Sequence, residues 1–274
     1  NELSNFLNAN FAIGVGNATD GLEIALMSLN LNPGDEVICS AHTMVATASA
    51  IKMAGATPKI VDIGYDNLID PDAIAEAINS KTVGIMPTQL NGRTCNMDII
   101  MDIAEKNKLF VVEDAAQSLG SKFKDKNAGT FGISSAISFY PAKVLGCFGD
   151  GGALITNSDA IFHKAYQLHD HGRDVDGEIK SWGRNSRLDN IQAAILSYNL
   201  KKYHNVIEKR RSIAEIYNEE LKEIDELKLP VPPSMGGNHF DVFQNYEFEA
   251  KNRDQLQKYL KEKGIGTLVQ WSGK

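Results

Sequence analysis

Lys143 is the residue of this sequence best placed to do chemistry. It lies in Ser138–Gly152, SFYPAKVLGCFGDGG, among Tyr140, Pro141, Ala142, Val144 and Leu145 and ahead of four glycines. Such neighbours give little reason for a solvated surface charge. Burial lowers a lysine's affinity for its proton, and the neutral amine attacks carbonyl carbon. The glycines let the backbone pass close to a bound group. Taken by itself, the residue also fits a lysine whose stem lies on apolar surface with its head in water.

Two carboxylates, Glu113 and Asp114, close the apolar run Val111-Val112 and precede Ala115-Ala116-Gln117. Ligands of open α/β sheets gather at the carboxyl ends of the strands. Small residues after Asp114 leave room for a flat ring, while an N-cap for the next segment is an equal reading. Gly14–Gly21, GVGNATDG, sits where a strand turns into a helix. Its third glycine follows the second by five residues instead of the three that a dinucleotide fingerprint needs. The amides of Ala18 and Thr19 and the Thr19 hydroxyl suit an anion such as phosphate; an ordinary tight turn is the other reading. His169 and His171 have no third ligand nearby and read as a helix end stopped by Gly172. The charges of Glu208–Glu226 read as a solvated helix face, and Ser272-Gly273-Lys274 lacks the upstream glycine of a phosphate loop.

These residues need elements to hold them. Strands are predicted at Phe11–Val15, Glu36–Cys39, Lys59–Asp62, Val83–Pro87, Leu109–Glu113, Ala136–Phe139 and Ala153–Thr156. Helices are predicted at Thr19–Leu29, Thr43–Ala54, Pro71–Ile78 behind an Asp70 cap, Met97–Lys106, Ala160–His169, Leu188–Leu200 and Tyr203–Glu223. This alternation makes an α/β protein, a mainly parallel sheet sandwiched by helices. Three prolines in Leu227–Pro233 break the pattern. Beyond them Gln244–Ala250 reads as a strand, Asp254–Lys263 as a helix and Gly266–Trp271 as a strand. Residues 1–226 are thus expected to form a large domain, and 227–274 the start of a smaller α+β domain.

Composition narrows the function. The 274 residues carry 28 Lys+Arg against 35 Asp+Glu, a net charge of −7, which argues against nucleic acid and anionic membrane as partners. No stretch approaches the ~18 apolar residues of a membrane span, and no signal peptide opens the chain. Cys39, Cys95 and Cys147 are odd in number and form no CxxC pair, so a disulfide scaffold and a zinc site are not expected and a reducing cytoplasm is the default. The start at Asn1 and the stop at Lys274 read as part of something longer.

In their order along the chain, these segments resemble the DegT/DnrJ/EryC1/StrS family of sugar aminotransferases, pyridoxal-phosphate enzymes of the aspartate aminotransferase fold (fold type I). The matching segments are Asn17–Leu26 (NATDGLEIAL), Gly55–Asp62 (GATPKIVD), Glu113–Gln117 (EDAAQ), Ser138–Gly152, His171-Gly172 and Asn185–Ala194 (NSRLDNIQAA). The resemblance implies that Lys143 holds pyridoxal 5'-phosphate covalently and later shuttles a proton, while Asp114 pairs with the ring nitrogen. It further implies Gln117 against the ring, and Ala18, Thr19 and Ser138 at the phosphate. Asn185 is implied to reach the neighbouring subunit's phosphate, hence a homodimer with sites at the interface. Met44 stands where the family stacks an aromatic ring, and Trp271 near where it carries an aromatic by the sugar. The implied acceptor is a nucleotide-linked keto sugar, the donor glutamate, and the product an amino sugar for lipopolysaccharide or an antibiotic. The N-terminal segment and most of the small domain are, by that resemblance, missing. Sugar dehydratases of the family replace the lysine with histidine, so Lys143 opposes that branch. The intact Lys143, Asp114 and Gln117 oppose a catalytically silent regulatory protein.

Overall fold

The computed structural model describes residues 1–271, so Ser272-Gly273-Lys274 lie outside the described residues. In chain order the elements are α1 (Glu2–Leu7), β1 (Phe11–Val15), α2 (Ala18–Met27), β2 (Glu36–Ser40), α3 (Val45–Met53), β3 (Thr57–Val61), α4 (Pro71–Ala77), β4 (Thr82–Met86), α5 (Met97–Asn107) and β5 (Phe110–Asp114). There follow β6 (Lys122–Phe123), β7 (Lys126–Asn127), β8 (Ser134–Ser138), β9 (Gly152–Thr156), α6 (Asp159–His169), α7 (Asn190–Leu200) and α8 (Tyr203–Leu221). The last elements are β10 (Leu227–Lys228), β11 (His239–Phe240), β12 (Glu249–Ala250) and α9 (Arg253–Glu262).

Seven strands form the central sheet in the order β1-β9-β8-β5-β4-β2-β3. β9 pairs antiparallel with both β1 and β8, whereas the remaining pairs are parallel, so β9 alone runs against the sheet. A parallel neighbour needs a long crossover, but a reversed strand needs only a loop. The loop from β8 to β9, residues 139–151, therefore stays at the carboxyl edge of the sheet, and it carries Lys143.

Both faces of the sheet are covered, as strand periodicity requires. Met86, Val112, Ala136 and Leu154 point into one apolar layer with Leu22, Ile24 and Ile51. Their neighbours Ile85 and Val111 face a second layer with Ile74, Met97 and Ile100, and Ile137, Ala153 and Ile155 a third with Leu196, Tyr203 and Ile207. Each fully buried Leu or Ile contributes on the order of 1.5–3 kcal/mol, so these layers anchor the strands whose ends bear the site.

The expected strand at Gln244–Ala250 is corrected: only Glu249 and Ala250 are laddered, against Leu227 and Lys228. The residues before them spend their backbone donors elsewhere, Val242 on the Gly92 carbonyl at 2.8 Å and Gln244 on the Asn91 carbonyl at 2.9 Å. Gly266–Trp271 forms no strand either. Trp271 instead sets its ring edge against His42, with centroids 5.5 Å apart. α6 ends at His169, and Gly172 beyond it has φ 78°, the left-handed stop that the sequence pattern predicts.

Candidate active site

Parallel strands bring their carboxyl ends to one edge, and the candidate residues meet there. Asp114 is the last residue of β5 and is 4% exposed. Its Oδ2 accepts the Thr47 hydroxyl at 2.6 Å and its Oδ1 the Ala116 N–H at 3.2 Å. Burial pushes its pKa up, while these two donors and the Lys143 charge pull in the opposite direction. Lys143, half-buried in the β8–β9 loop, is pushed the other way: burial lowers its pKa, against the attraction of Asp114. Each group thus gives up its charge more readily than it would in water. A neutral amine is the nucleophilic form.

The neighbouring Glu113 is different in kind. Its fully buried Oε1 accepts the Phe131 and Gly132 N–H groups at 2.7 and 2.9 Å, and Oε2 accepts the Gly129 N–H at 2.8 Å and the Gln89 amide at 2.7 Å. Four donors leave it no free lone pair to offer a ligand. Of the two adjacent carboxylates, Asp114 is the one open to chemistry.

Asn17 caps α2, its Oδ1 accepting the Asp20 N–H at 2.9 Å and its carbonyl the Gly21 N–H at 3.1 Å. Among the described residues no acceptor stands on the Ala18 and Thr19 amides, which an anion would satisfy. Gly152 lies beneath them: a Cβ there would stand 2.6 Å from the Asn17 carbonyl carbon and 2.8 Å from the Ala18 nitrogen. Gly152 is also the ladder partner of Ser138. The close packing at Gly152 therefore draws the end of β8 to the start of α2. The Ser138 hydroxyl accepts the Tyr140 N–H at 3.3 Å.

Gln117 is half-buried, its Oε1 accepting the Asn91 N–H at 2.8 Å. Met44 precedes α3, is 48% exposed, and its Sδ takes the Ala46 N–H at 3.3 Å. Asn185 is not gathered with the others. It bridges to Asp170 on an exposed loop, beside the Arg184 to Glu23 ion pair that ties the loop to α2. Sequence reasoning missed Thr47, hidden in a helix read as small and apolar, and Asn91, which carries no motif; the one signal for Thr47 is a hydroxyl on an otherwise apolar helix. Among the described residues no cluster of His, Cys, Asp and Glu is arranged to hold a metal ion.

An amine ready to lose its proton calls for a carbonyl to attack, a helix start with free amides calls for an anion, and a buried carboxylate calls for a cation. Pyridoxal phosphate carries all three, and the residues present fit it: this is a pyridoxal-phosphate-dependent transferase of the aspartate aminotransferase fold. Within that class the chain belongs to the DegT/DnrJ/EryC1/StrS aminotransferase family, whose profile matches residues 1–273. It is 40% identical over 269 residues to the pleiotropic regulatory protein of Geobacillus stearothermophilus, covering 98% of this chain and 72% of that one. It is 37% identical over 270 residues to the UDP-2-acetamido-2-deoxy-3-oxo-D-glucuronate aminotransferase of Pseudomonas aeruginosa, covering 98% and 74%. The crystal structure of S. venezuelae DesV in complex with a ketimine intermediate superposes with a TM-score of 0.94 at 33% identity, covering 98% of this chain and 72% of that one.

Proposed function

We propose that the protein moves an amino group from glutamate to a nucleotide-linked keto sugar, in the cytoplasm, on the way to an amino sugar of a lipopolysaccharide or an antibiotic. The observation that carries this reading is the half-buried Lys143 in the β8–β9 loop at the carboxyl edge of the sheet, within electrostatic reach of the buried Asp114 at the end of β5. Relatives named as UDP- and dTDP-sugar transaminases support the acceptor; the glutamate donor follows from the family resemblance.

When bound, pyridoxal phosphate supplies an aldehyde that takes up amines and a ring that withdraws electrons. Lys143 Nζ would hold it covalently and, when free, would take the proton from the substrate carbon as base and return it as acid. Asp114 would hold positive charge at the ring nitrogen. Thr19, the Ala18 amide and Ser138 would hold the phosphate, and Gln117 would lie against the ring. Met44 would cover the ring where the family resemblance implies an aromatic, a role suited to a polarisable thioether. Asn185, whose side chain is exposed and makes no hydrogen bond among the described residues, would reach the phosphate in a partner subunit, as the family resemblance implies for a homodimer with shared sites. The large domain ends near residue 226.

The name of the Geobacillus relative favours a second reading, a regulatory protein with a retained fold. A visible spectrum of purified full-length protein, before and after glutamate, separates the two. A yellow protein bleached by glutamate is expected for the transaminase; a protein that stays colourless after pyridoxal phosphate is added overturns that reading and leaves the regulatory one.

A further inference from the structure

Gln244 is buried far from every motif of the sequence, yet its side chain holds the reactive lysine in place. Its Oε1 accepts the Val144 N–H at 2.9 Å and its Nε2 donates to the Ala142 carbonyl at 2.9 Å. Those two groups belong to the two peptide units that meet at Lys143. The Lys143 N–H itself donates to the Tyr140 carbonyl at 2.8 Å. A loop with neither helix nor ladder is thereby fixed on both sides of the residue whose side chain must be aimed.

Gln244 is fixed in turn. Its backbone N–H donates to the Asn91 carbonyl, and Arg210 of α8 donates to the carbonyls of Phe243 and Gln244 at 3.0 and 3.2 Å. Phe243 has φ 50°, a left-handed conformation that a bulky residue adopts only when its surroundings impose it. Gly92 allows the crossing: a Cβ there would stand 2.7 Å from Val242 Cγ2 and 2.8 Å from the Gln244 nitrogen. Asn91 also donates to Gln117 through its N–H, so the segment Val242–Gln244 joins the loop of Lys143 to that of Gln117.

We propose that Gln244 is the positioning residue of the Lys143 amine, its side-chain amide bridging the two peptide units on either side of that lysine. The proposal rests on the reading of Lys143 as the attachment point of pyridoxal phosphate. Misplacing a reacting atom by 1 Å lowers a rate by about a hundredfold, and a loop freed on both sides has room for such a shift.

The test uses cofactor-free, full-length protein carrying Gln244→Met, which keeps the volume and removes both bonds. Gln244→Asn, one methylene too short to span them, is the polar companion should the apolar variant fail to fold. Amine labelling of Lys143 is followed against pH by mass spectrometry, and capture of added pyridoxal phosphate by visible absorbance. Both variants are expected to slow capture about ten- to a hundredfold and to move the labelling midpoint of Lys143 upward, because a loosened loop hydrates the amine. Asn245→Ala, on the same segment but bonded to Asn91 and Gln270, is expected to leave that midpoint in place. Wild-type capture and an unmoved midpoint in folded Gln244→Met or Gln244→Asn overturn the proposal. Wild-type protein that captures no cofactor, or captures it equally well as Lys143→Ala, overturns instead the reading on which it rests.

Discussion

Thr47, in the first turn of α3, donates its hydroxyl to Asp114 Oδ2 at 2.6 Å and so sets the direction of a chain of hydroxyls. When Asp114 is ionised it only accepts, and the single Thr47 proton is then committed to it. The Thr47 oxygen must then accept from Thr43 at 2.6 Å, and Thr43 in turn from Thr88 at 2.8 Å. Three threonine hydroxyls are thereby polarised toward one buried carboxylate. Thr47→Val keeps the shape and removes the donor. A hydrogen bond to a charged group is worth about 1.5–3 kcal/mol, so the glutamate-driven spectral change is expected to slow about ten- to a hundredfold. Thr47→Ser keeps a hydroxyl and is expected to recover most of the rate. Stopped-flow absorbance checks both, and an unslowed valine variant removes Thr47 from the site.

Lys143→Ala is expected to abolish the covalent chromophore and turnover together. The pH dependence of cofactor capture by the wild type carries more detail. Only the unprotonated amine attacks, and burial lowers the Lys143 pKa below its ordinary value of 10.5. Capture is therefore expected to fall as pH falls, with its midpoint below that of free lysine. A midpoint at the free-lysine value would falsify the buried-amine account.

The proposed catalytic pair stood out in the sequence because Lys143 and Asp114 each interrupt an apolar run, and a charge in such a run needs a reason. The β–α alternation made the sheet legible for a similar reason, since hydrophobic period follows local geometry. Thr47 and Gln244 gave no such signal. Thr47 belongs to a helix of small residues, where a hydroxyl reads as one more small side chain. Gln244 sits in QNYEFEA, whose alternation imitates a strand; its backbone donor goes instead to Asn91, and its side chain to a loop 100 residues earlier. Contacts made that far along the chain leave no periodic trace in it.

Glu113 is predicted to serve stability rather than chemistry. Glu113→Gln places an amide NH2 against backbone N–H donors now shared between two carboxylate oxygens. At least one buried donor loses its acceptor, at about 1–3 kcal/mol each and more where the lost acceptor was charged. A fall of that size in unfolding free energy, read as a lower denaturant midpoint at unchanged slope, is expected, while cofactor capture per folded molecule stays at the wild-type level. A variant of wild-type stability that fails to bind cofactor would reverse the assignment.

Asp114→Asn separates function from stability most sharply. With its pKa raised by burial, Asp114 stabilises the fold when protonated, below its unfolded-state pKa, and loses that contribution as pH rises through the folded value. The cofactor-free asparagine variant carries no such charge. It is therefore expected to melt at or above the wild type at neutral pH, with the difference shrinking toward acid pH. Removing the negative charge also removes the attraction that raises the Lys143 pKa, so the Lys143 labelling midpoint is expected to move further down. With cofactor bound the effect reverses. A ring nitrogen without its counter-charge holds its proton poorly and the ring withdraws electrons less well, so turnover is expected to drop by about 10²–10³, the scale seen when one fixed partner of a developing charge is removed. Calorimetry of the cofactor-free protein and single-turnover absorbance of the loaded one read the two arms separately. Lower stability together with undiminished turnover is the outcome that this arrangement of Asp114 and Lys143 forbids.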